Sequence, residues 1–526
     1  MPPFRLADFQ AELDRFVSDP QKPHKYQDKA IAEHLSEEDP LRSLRDGYEL
    51  PRLRDITNDS SISSDVPAYY FCGNSLGPLA KKSRTYLSEE LEIWSRFGVN
   101  GHFDHLHQRP WASIDERIAR FTAEVVGAKR SEVAVMATLT QNLHTMLATF
   151  YRPNAQGPCN GRYKILYERR AFPSDKYALD SVCRLQGLDP RECLVPLEPR
   201  EGETYIRTED ILKAIEHVGQ AGAMIVLGGV QYFTGQLFEL EPIAKAAHAV
   251  GMTIGVDLAH AFLNVPLCLH DWDIDWAVWC SYKYGSGGPG GIAGMFLHEK
   301  WASENLARPS GWWGHNRSTR FTMPEEFDPI PGAAGWQVSN PSVMDVSVLI
   351  GALETVWEGV QAANPSDSDL AQIGTDEDTA AREKMTHIGS GRIMPTLRTK
   401  SQRLTAYLVL LMGRDGFDLE KFGVKLRLVT PDDPEQRGSQ LCIQFLDNAA
   451  QQPVRNGNDN VARSMSGDTL LGRVVHLMEK KRGVVVDMRY PDVLRVAPLP
   501  AFNTYVEVHY VVETLAWALQ QVGQAP

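Results

Sequence analysis

Two side chains that can take part in chemistry stand at the ends of neighbouring apolar runs. Asp257 ends a run that begins at Thr253, and Lys283 follows a run that begins at Trp276. A lysine amine in an enclosed site loses part of the stability of its ammonium form, which favours attack on an aldehyde. A carboxylate nearby can keep a pyridine nitrogen protonated. The pair favours pyridoxal phosphate, whose aldehyde forms a Schiff base with a lysine; a surface lysine and a helix-capping aspartate are the alternative at this point.

A glycine-rich turn follows Lys283 and extends from Gly285 to Gly291. Its glycines at 285, 287 and 290 fit the G-x-G-x-x-G pattern of dinucleotide sites, which requires a helix directly after the glycines. Here the segment Ile292-Ala-Gly-Met-Phe-Leu follows, and it is typical of a strand. The run therefore gives only weak support to nicotinamide binding.

Between residues of about 70 and 350, short apolar runs alternate with amphipathic segments. Each run ends in polar residues or glycine. The runs begin at Val133, Lys164, Ala223, Thr253 and Trp276. Apolar strands separated by helices indicate an α/β fold with a mainly parallel sheet that is covered on both faces. Because ligands of such sheets lie beyond the carboxyl ends of the strands, the reactive groups are expected at that edge.

The chain is expected to have three parts. Residues 1–70 are polar and helix-prone, and we interpret them as an N-terminal arm that packs with a small domain. Residues 71–350 form the large cofactor-binding domain, and residues 351–526 form the smaller α+β domain. Two polar stretches, near 361–393 and 448–466, are predicted to be surface insertions. The strand signals of the small domain begin at Lys425, Gln440, Gly483 and Val493, and Tyr505 to Gln521 is its closing helix.

The composition excludes several classes of function. The 526 residues carry 54 basic and 67 acidic side chains, with a net charge of -13. Nucleic acid or an anionic membrane is therefore not expected as the main partner, since either requires a basic face. No apolar run approaches the ~18 residues of a membrane span. The seven cysteines lack a CxxC pair, and the N-terminus lacks the features of a signal peptide, so we expect a cytoplasmic protein with reduced thiols.

An ordered set of short motifs resembles the kynureninase family. The motifs are Cys72-Gly-Asn-Ser-Leu-Gly77, Phe172-Pro-Ser-Asp175, Asp257-Leu-Ala-His260, Leu269-His-Asp-Trp272, Cys280-Ser-Tyr-Lys283, Gly311-Trp-Trp-Gly-His315, Ser339-Asn-Pro341 and Arg495-Val-Ala-Pro498. Each motif alone is weak, but the ordered set is highly specific. The resemblance implies the fold-type-I architecture of pyridoxal-phosphate enzymes related to class-V aminotransferases, with a seven-stranded sheet in the large domain. It also implies a homodimer whose sites are shared across the interface.

The resemblance assigns the residues around the cofactor. It implies that Lys283 forms the Schiff base, that Asp257 pairs with the pyridinium nitrogen and that Phe172 stacks on the ring. Trp312 is expected to reach the cofactor across the dimer interface. Further cofactor positions are Pro173, Ser174, Asp175, His260 and Asn340, the last also from the partner subunit. Taken singly, Phe172, His260 and Trp312 are equally compatible with ordinary core packing.

The phosphate is expected at the start of a predicted helix. Leu139 and Thr140 precede that helix, where backbone N–H groups and a hydroxyl can bind a phosphate. The resemblance adds Tyr282, which contacts the phosphate and is a second catalytic residue that can supply a proton. Gly228 lies where some relatives have a serine near the cofactor, so the role of this position is open.

Arg495 is the candidate for binding a substrate carboxylate. It stands inside the apolar run Val493-Leu-Arg-Val-Ala, and its planar guanidinium suits the two oxygens of an amino-acid carboxylate. A structural salt bridge is the alternative, and the resemblance favours the carboxylate. It further implies that His102, Ser75, Ser339 and Asn340 surround the aryl ketone. The spacing of His102, His105 and His107 lacks the pattern of a metal site, so no metal is expected.

The resemblance implies an activity as well: hydrolysis of L-kynurenine to anthranilate and L-alanine, and of 3-hydroxy-L-kynurenine to 3-hydroxyanthranilate and L-alanine. These reactions belong to tryptophan catabolism and de novo NAD biosynthesis. A cysteine desulfurase or an aminotransferase of similar fold is the alternative, but no cysteine lies in an obvious Gly/Ser-rich loop of the small domain. A non-catalytic scaffold is disfavoured because Lys283, Asp257 and Arg495 occur together.

Overall fold

The computed structural model describes residues 4–18, 25–154, 159, 161–363, 393–413, 416–446 and 469–523. The two polar stretches predicted near 361–393 and 448–466 lie almost entirely outside these residues. Within the described part, no helix is long and apolar enough to cross a membrane.

The helices are amphipathic or buried segments that pack around three large hydrophobic clusters of the described residues. In chain order they are α1 (Leu6–Val17), α2 (Lys29–Glu37), α3 (Leu53–Thr57), α4 (Lys81–Phe97), α5 (Ile114–Val126), α6 (Leu139–Phe150), α7 (Pro173–Leu185), α8 (Pro190–Cys193), α9 (Thr208–Val218), α10 (Leu240–Ala249), α11 (Val343–Ala363), α12 (Ile393–Met412), α13 (Leu470–Arg482) and α14 (Tyr505–Gly523).

The strands form one large sheet, one smaller sheet and two short pairs. In chain order they are β1 (Tyr48–Glu49), β2 (Tyr69–Tyr70), β3 (Leu79–Ala80), β4 (Val133–Val135), β5 (Lys164–Glu168), β6 (Leu194–Leu197), β7 (Gly222–Gly228), β8 (Thr253–Asp257), β9 (Trp276–Cys280), β10 (Ala293–Leu297), β11 (Lys425–Leu428), β12 (Leu441–Leu446), β13 (Val484–Val485), β14 (Asp487–Arg489) and β15 (Val493–Val496).

The large sheet has seven strands in the order β4-β10-β9-β8-β7-β5-β6. Strand β10 is antiparallel to both of its neighbours, and all other neighbouring pairs are parallel. Every residue of β8, β9 and β10 is buried, as expected for strands covered by helices on both faces. The prediction of an α/β fold with a mainly parallel sheet is confirmed. Because β10 follows the glycine turn directly, the helix that a dinucleotide site requires is missing after Gly285–Gly291 in this part of the described chain.

The smaller sheet has the order β11-β12-β15-β14 and is antiparallel throughout. Its core includes buried residues of α12, α13 and α14, together with Phe9, Leu13 and Ile31 from the first two helices of the chain. A buried ion pair of 2.7 Å between Lys400 Nζ on α12 and Asp39 Oδ2 adds to this contact. The predicted boundary at residue 350 falls inside α11, whose buried residues pack into the core of the large sheet.

Candidate active site

Acidic and small residues end three adjacent strands of the large sheet. Glu168 ends β5, Gly228 ends β7 and Asp257 ends β8, with Gly228 and Asp257 directly paired in the register. Since parallel strands bring their carboxyl ends to one edge, these positions lie side by side. The same edge receives Lys283, three residues beyond the end of β9.

The turn that carries Lys283 is held by the segment around Gly77. The Gly77 N–H donates a hydrogen bond of 2.8 Å to the Tyr282 carbonyl oxygen. A Cβ atom at position 77 would lie 2.4 Å from both the Lys283 carbonyl oxygen and the Ser286 Oγ, so only glycine allows this approach. The motif that begins at Cys72 therefore shapes the backbone of the lysine turn.

Lys283 Nζ lies 3.0 Å from Nε2 of His260, and Nδ1 of the same ring lies 3.2 Å from the hydroxyl of Tyr284. Burial, together with the positive charge of Lys283, holds the pKa of His260 well below its usual value. In a neutral imidazole, Nε2 can accept a hydrogen bond from a lysine ammonium while Nδ1–H donates one to the tyrosine oxygen. The arrangement thus orients the lysine without a competing positive charge.

Asp257 and Asp175 form a buried pair of carboxyl groups. Asp257 Oδ1 accepts a 2.7 Å hydrogen bond from the Ala259 N–H, and Asp175 lies in the first turn of α7. Burial raises the pKa of Asp257, and burial together with the charge of Asp257 raises the pKa of Asp175 well above its usual range. The nearby positive charge of Lys283 opposes both shifts.

The starts of α6 and α7 meet beside this pair. Thr138 caps α6 and shares a reciprocal capping box with Gln141, and Ala137 before it has a φ of +48°. Such a left-handed alanine is costly and marks a tightly constrained strand-to-helix turn. Thr140 Oγ1 lies 2.9 Å from Ser174 Oγ. The structure therefore brings together the predicted phosphate residues Leu139 and Thr140 and the Phe172–Asp175 motif.

Phe172 and Tyr282 have different surroundings. Phe172 is 47% exposed, and its ring packs edge-on against Tyr232 at a centroid distance of 5.3 Å. Pro173 follows it as the first residue of α7. Burial and the neighbouring Cys280 thiol raise the pKa of Tyr282, whose hydroxyl contacts that thiol. Direct contact of Tyr282 with a phosphate stays a prediction.

Arg495 is completely buried on β15 and forms an ion pair with Asp487 on β14, the residue opposite it in the register. Its Nη1 donates a 2.7 Å hydrogen bond to the Tyr232 carbonyl oxygen, and its Nε finds no partner within the described chain. Arg489 lies 3.3 Å from the same Asp487 carboxylate. Two guanidinium groups around one carboxylate leave an excess positive charge that suits a further anion.

The other predicted substrate residues lie on separate loops. Ser75 and Ser339 are exposed. The Nδ1–H of His102 donates a 3.0 Å hydrogen bond to the Val99 carbonyl oxygen, and the ring packs edge-on against Trp111. Trp312 is 43% exposed and donates a 2.9 Å hydrogen bond to the Arg320 carbonyl oxygen. Asn340 is half-buried, and its Oδ1 has no hydrogen-bond partner in the described chain. No hydrogen bond of the described residues joins any of these five side chains to Lys283 or His260.

Sequence reasoning missed Glu168, Asp487 and Arg489. Asp487 and Arg489 stand two residues apart on the strand beside Arg495. Residues with this spacing lie on the same face of a strand, so the sequence could have predicted that both side chains lie on one face. Glu168 ends an apolar run, as Asp257 does. The sequence could therefore have predicted that Glu168 lies at the end of a strand, but not which residues surround its side chain.

Two clusters of side chains that could bind a metal ion are hydrogen-bonded to other groups of the protein. His105 contacts the buried Glu90 at 2.9 Å. Elsewhere Glu132, His270 and His298 lie together, but Glu132 Oε1 already accepts a 2.8 Å hydrogen bond from the Glu299 N–H and contacts His270 at 2.9 Å. The histidine of the Leu269–Trp272 motif therefore belongs to a hydrogen-bonded cluster.

The residues at the sheet edge fit pyridoxal phosphate. The reactive amine of Lys283 stands near the buried Asp257, and the helix start at Thr140 lies beyond Asp175. Asp175 Oδ1 and Glu168 Oε2 are buried atoms without a hydrogen-bond partner in the described chain, which is typical of a site that a polar group completes. A lysine amine suited to covalent attachment, a carboxyl group suited to a ring nitrogen and a helix N-terminus suited to a phosphate thus lie at one edge of the sheet.

The fold and the site define a pyridoxal-phosphate enzyme of the class-V aminotransferase type. Residues 118–318 match the family model of class-V aminotransferases. Among solved structures, a cysteine desulfurase from Escherichia coli superposes with a TM-score of 0.59 at 16% identity, over 92% of this chain and 98% of that chain. A cystine C-S lyase in complex with cysteine persulfide gives a TM-score of 0.58 at 14% identity, over 85% and 97%. At these identities the structures show the fold alone.

Within that class, sequence similarity is much higher to one family. Residues 471–515 match the model of the kynureninase C-terminal domain. A kynureninase from Monosiga brevicollis is 41% identical over 507 residues, which cover 94% of this chain and 96% of that protein. A kynureninase from Myxococcus xanthus is 40% identical over 497 residues, covering 94% and 98%. The chain belongs to the kynureninase family, which confirms the resemblance and the cofactor predicted from the motifs.

Proposed function

We propose that this protein hydrolyses the Cβ–Cγ bond of L-kynurenine to give anthranilate and L-alanine. The observation that carries the proposal is the match to kynureninases at 41% identity over 94% of the chain. The proposal includes 3-hydroxy-L-kynurenine, which gives 3-hydroxyanthranilate and L-alanine. We further propose a role in tryptophan catabolism and de novo NAD biosynthesis in the cytoplasm, where the seven cysteines stay reduced thiols.

Pyridoxal phosphate, when bound, supplies an electron sink for negative charge that develops on the substrate. In this proposal Lys283 holds it covalently and Asp257 faces its ring nitrogen. The N-terminus of α6, with Leu139 and Thr140, takes the phosphate, because free N–H groups at a helix start attract anions. The Phe172–Asp175 segment and Gly228 line the same edge of the sheet.

Lys283 also handles protons. As a free amine, its Nζ takes the proton from Cα of the substrate, and the neutral His260 beside it does not repel the ammonium that forms. Because burial raises the pKa of Tyr282, its hydroxyl keeps its proton at neutral pH. Tyr282 can therefore donate that proton to the alanine fragment when the carbon–carbon bond breaks.

Arg495 binds the substrate carboxylate in this proposal. Its guanidinium is fully buried and has a free Nε within the described chain, and the two arginines around Asp487 leave one positive charge uncompensated. An α-carboxylate provides the anion that this charge requires. His102, Ser75, Ser339 and Asn340 are assigned to the aryl ketone end.

We also propose a homodimer, in which a second copy covers an exposed aromatic patch made of Phe103, Trp312 and Phe321. Phe103 and Trp312 both pack edge-on against Phe321, at 5.3 and 5.4 Å. The three side chains are 66%, 43% and 46% exposed, which is unusual for so large an apolar cluster. The patch connects the loop of His102 with the loop of Trp312. Among the described residues, no hydrogen bond joins either loop to Lys283 of the same chain.

The homodimer is tested by sedimentation. The double variant Phe103→Glu/Phe321→Glu is expected to sediment as a monomer, because two charges are placed in the patch. Leu6→Glu, at an exposed apolar residue of α1, is the matched control and is expected to leave the dimer intact. A parent protein that is monomeric, or a double variant that stays dimeric, contradicts the proposed interface.

The activity is tested by supplying L-kynurenine to the protein reconstituted with pyridoxal phosphate and following anthranilate fluorescence. Release of anthranilate and alanine in equal amounts is expected. L-cysteine is the comparison substrate, since alanine and persulfide from cysteine would identify a desulfurase. A cofactor-loaded protein that releases alanine from neither kynurenine contradicts the proposed function.

A further inference from the structure

Glu168 is a buried carboxyl group at the sheet edge that the proposed reaction does not use. Its side chain is 6% exposed, and its Oε1 accepts a hydrogen bond of 3.2 Å from the Gly228 N–H. A Cβ atom on Gly228 would also lie 3.2 Å from this oxygen, so the carboxyl group leans over the glycine. Its Oε2 has no partner in the described chain.

The groups that face Glu168 are mainly acidic. Asp257 on β8 and Asp175 on α7 interact with it electrostatically, as does the hydroxyl of Tyr232 beyond β7. The Gln231 side chain donates to the Arg170 carbonyl oxygen and, as a polar neighbour of Glu168, opposes the upward shift of its pKa. The positive charge of Lys283 acts on Asp175 and Asp257. Two of the three buried carboxyl groups thus interact with the lysine.

We propose that Glu168 is a positioning residue of the cofactor site, a carboxylic acid that holds its proton up to near neutral pH so that Asp257 carries the negative charge. The inference rests on the proposed role of Asp257 toward the ring nitrogen. Like charges at close range in a buried site cannot all ionise, and Glu168 and Asp175, which have fewer or weaker donors than Asp257, keep their protons at a lower cost. Glu168 has one long backbone hydrogen bond and the amide of Gln231, whereas Asp257 has the short bond from Ala259 and the charge of Lys283.

The pH dependence follows from this assignment. Burial, and then the charge of Asp257, raises the pKa of Glu168 to about 7. In the unfolded chain a glutamate titrates near pH ~4.3. A carboxyl group whose pKa is raised by folding has no effect on stability at low pH, and it destabilises the folded protein progressively as the pH rises between these two values. Above about pH 7 the loss is complete.

Glu168→Gln removes the ionisation and keeps a neutral side chain of the same shape. For the protein without cofactor, its melting temperature is expected to match the parent near pH ~4.5 and to exceed it by roughly 3 °C near pH ~8. A difference that is constant across pH indicates a structural role only and overturns the proposal, as does the absence of any difference.

Position 228 supplies a matched pair of variants. Gly228→Ser adds a hydroxyl within reach of Glu168 Oε1, which stabilises the ionised form and shifts the stability transition to lower pH. Gly228→Ala adds the Cβ without the hydroxyl and is expected to leave the transition at or above its parental pH. Equal transitions in the two variants contradict the assignment.

The cofactor-loaded protein gives a second readout. The pH midpoint of the visible cofactor band is expected to shift to lower pH in Glu168→Gln, because Glu168 of the parent protein is ionised above about pH 7 and there stabilises the protonated chromophore. An unchanged midpoint overturns the positioning role. Lys283→Ala tests the attachment of the cofactor separately from the role of Glu168. If the visible band is lost in Lys283→Ala but Glu168→Gln has no effect, the proposed function stands and only the role of Glu168 is rejected.

Discussion

Lys283 Nζ lies 3.0 Å from Nε2 of His260, so a neutral imidazole is the direct neighbour of the reactive amine. His260→Leu removes this hydrogen-bond partner and fills the space of the imidazole ring with an apolar side chain. We expect kcat to fall by roughly 10²-fold, because the amine loses the group that orients it for proton transfer. The measurement is anthranilate release under saturating kynurenine.

Tyr284→Phe is the matched control for His260. It keeps the aromatic packing and removes only the hydroxyl that lies 3.2 Å from His260 Nδ1. Loss of one buried hydrogen bond is expected to reduce kcat by about 10-fold or less. If kcat falls as strongly in Tyr284→Phe as in His260→Leu, the imidazole ring of His260 is not the group that orients the lysine.

Arg495→Ala is expected to raise KM for kynurenine by roughly 10²-fold while the visible cofactor band is retained, because charged hydrogen bonds to a carboxylate are worth about 1.5–3 kcal/mol. Asp487→Asn loosens the ion pair of Arg495 and is expected to have a smaller effect on KM. Steady-state kinetics and an absorption spectrum measure both.

Arg427→Ala is the control for this pair. Arg427 lies on β11 of the same sheet, and its exposed guanidinium bonds to Gln444. Its loss is expected to leave KM unchanged. An Arg495→Ala variant that loses the cofactor at unchanged KM contradicts the carboxylate role.

Glu90 anchors the loop that carries His102. The side chain is fully buried and accepts hydrogen bonds from Arg109 and Trp111 and contacts His105. Burial opposes ionisation, but these three partners outweigh it and lower the pKa of Glu90. Glu90→Ala is expected to raise KM through misplacement of His102 and to leave the cofactor band in place.

The control for Glu90 is Glu92→Ala, an exposed residue of the same helix that pairs with Arg96. This change is expected to alter neither KM nor melting temperature, since exposed helix pairs contribute little. Because the pKa of Glu90 is lowered by folding, its contribution to stability is present at neutral pH and is lost as the pH falls through the lowered pKa. An acid-stability profile identical in parent and Glu90→Ala contradicts this assignment.

Asp39→Ala is expected to lower the melting temperature strongly. The change leaves Lys400 buried without its 2.7 Å partner, and burial already lowers the pKa of this lysine. Breaking one side of a buried pair costs about 3–5 kcal/mol. The double variant Asp39→Ala/Lys400→Met is expected to recover most of this loss. If the double variant is no more stable than the single one, the buried charge is not the cause.

The strand ends and their reactive residues could be predicted from the sequence because buried parallel strands are continuous apolar runs. Asp257 and Lys283 were placed at one edge in this way, and the structure brings them together with His260. The direction of β10 was not predictable, because an apolar run does not encode whether its strand is parallel or antiparallel.

The pairing of Arg495 required the structure. Its ion pair with Asp487 depends on which residues of β14 and β15 stand opposite each other, and register is set by the whole hairpin. Glu168 was missed for a related reason. Its importance comes from Gly228 on the neighbouring strand, which leaves room for the carboxyl group and, among the residues that the structure describes, supplies its only backbone donor.

The most direct test of the account is to locate the cofactor on the chain. The protein is loaded with pyridoxal phosphate, reduced with borohydride, digested and analysed by mass spectrometry, with Lys283→Ala as the control. We expect a reduced pyridoxyl group on the peptide that contains Lys283, and neither this group nor anthranilate release in the variant. A modification on another lysine, or kynurenine turnover that survives in Lys283→Ala, would contradict it.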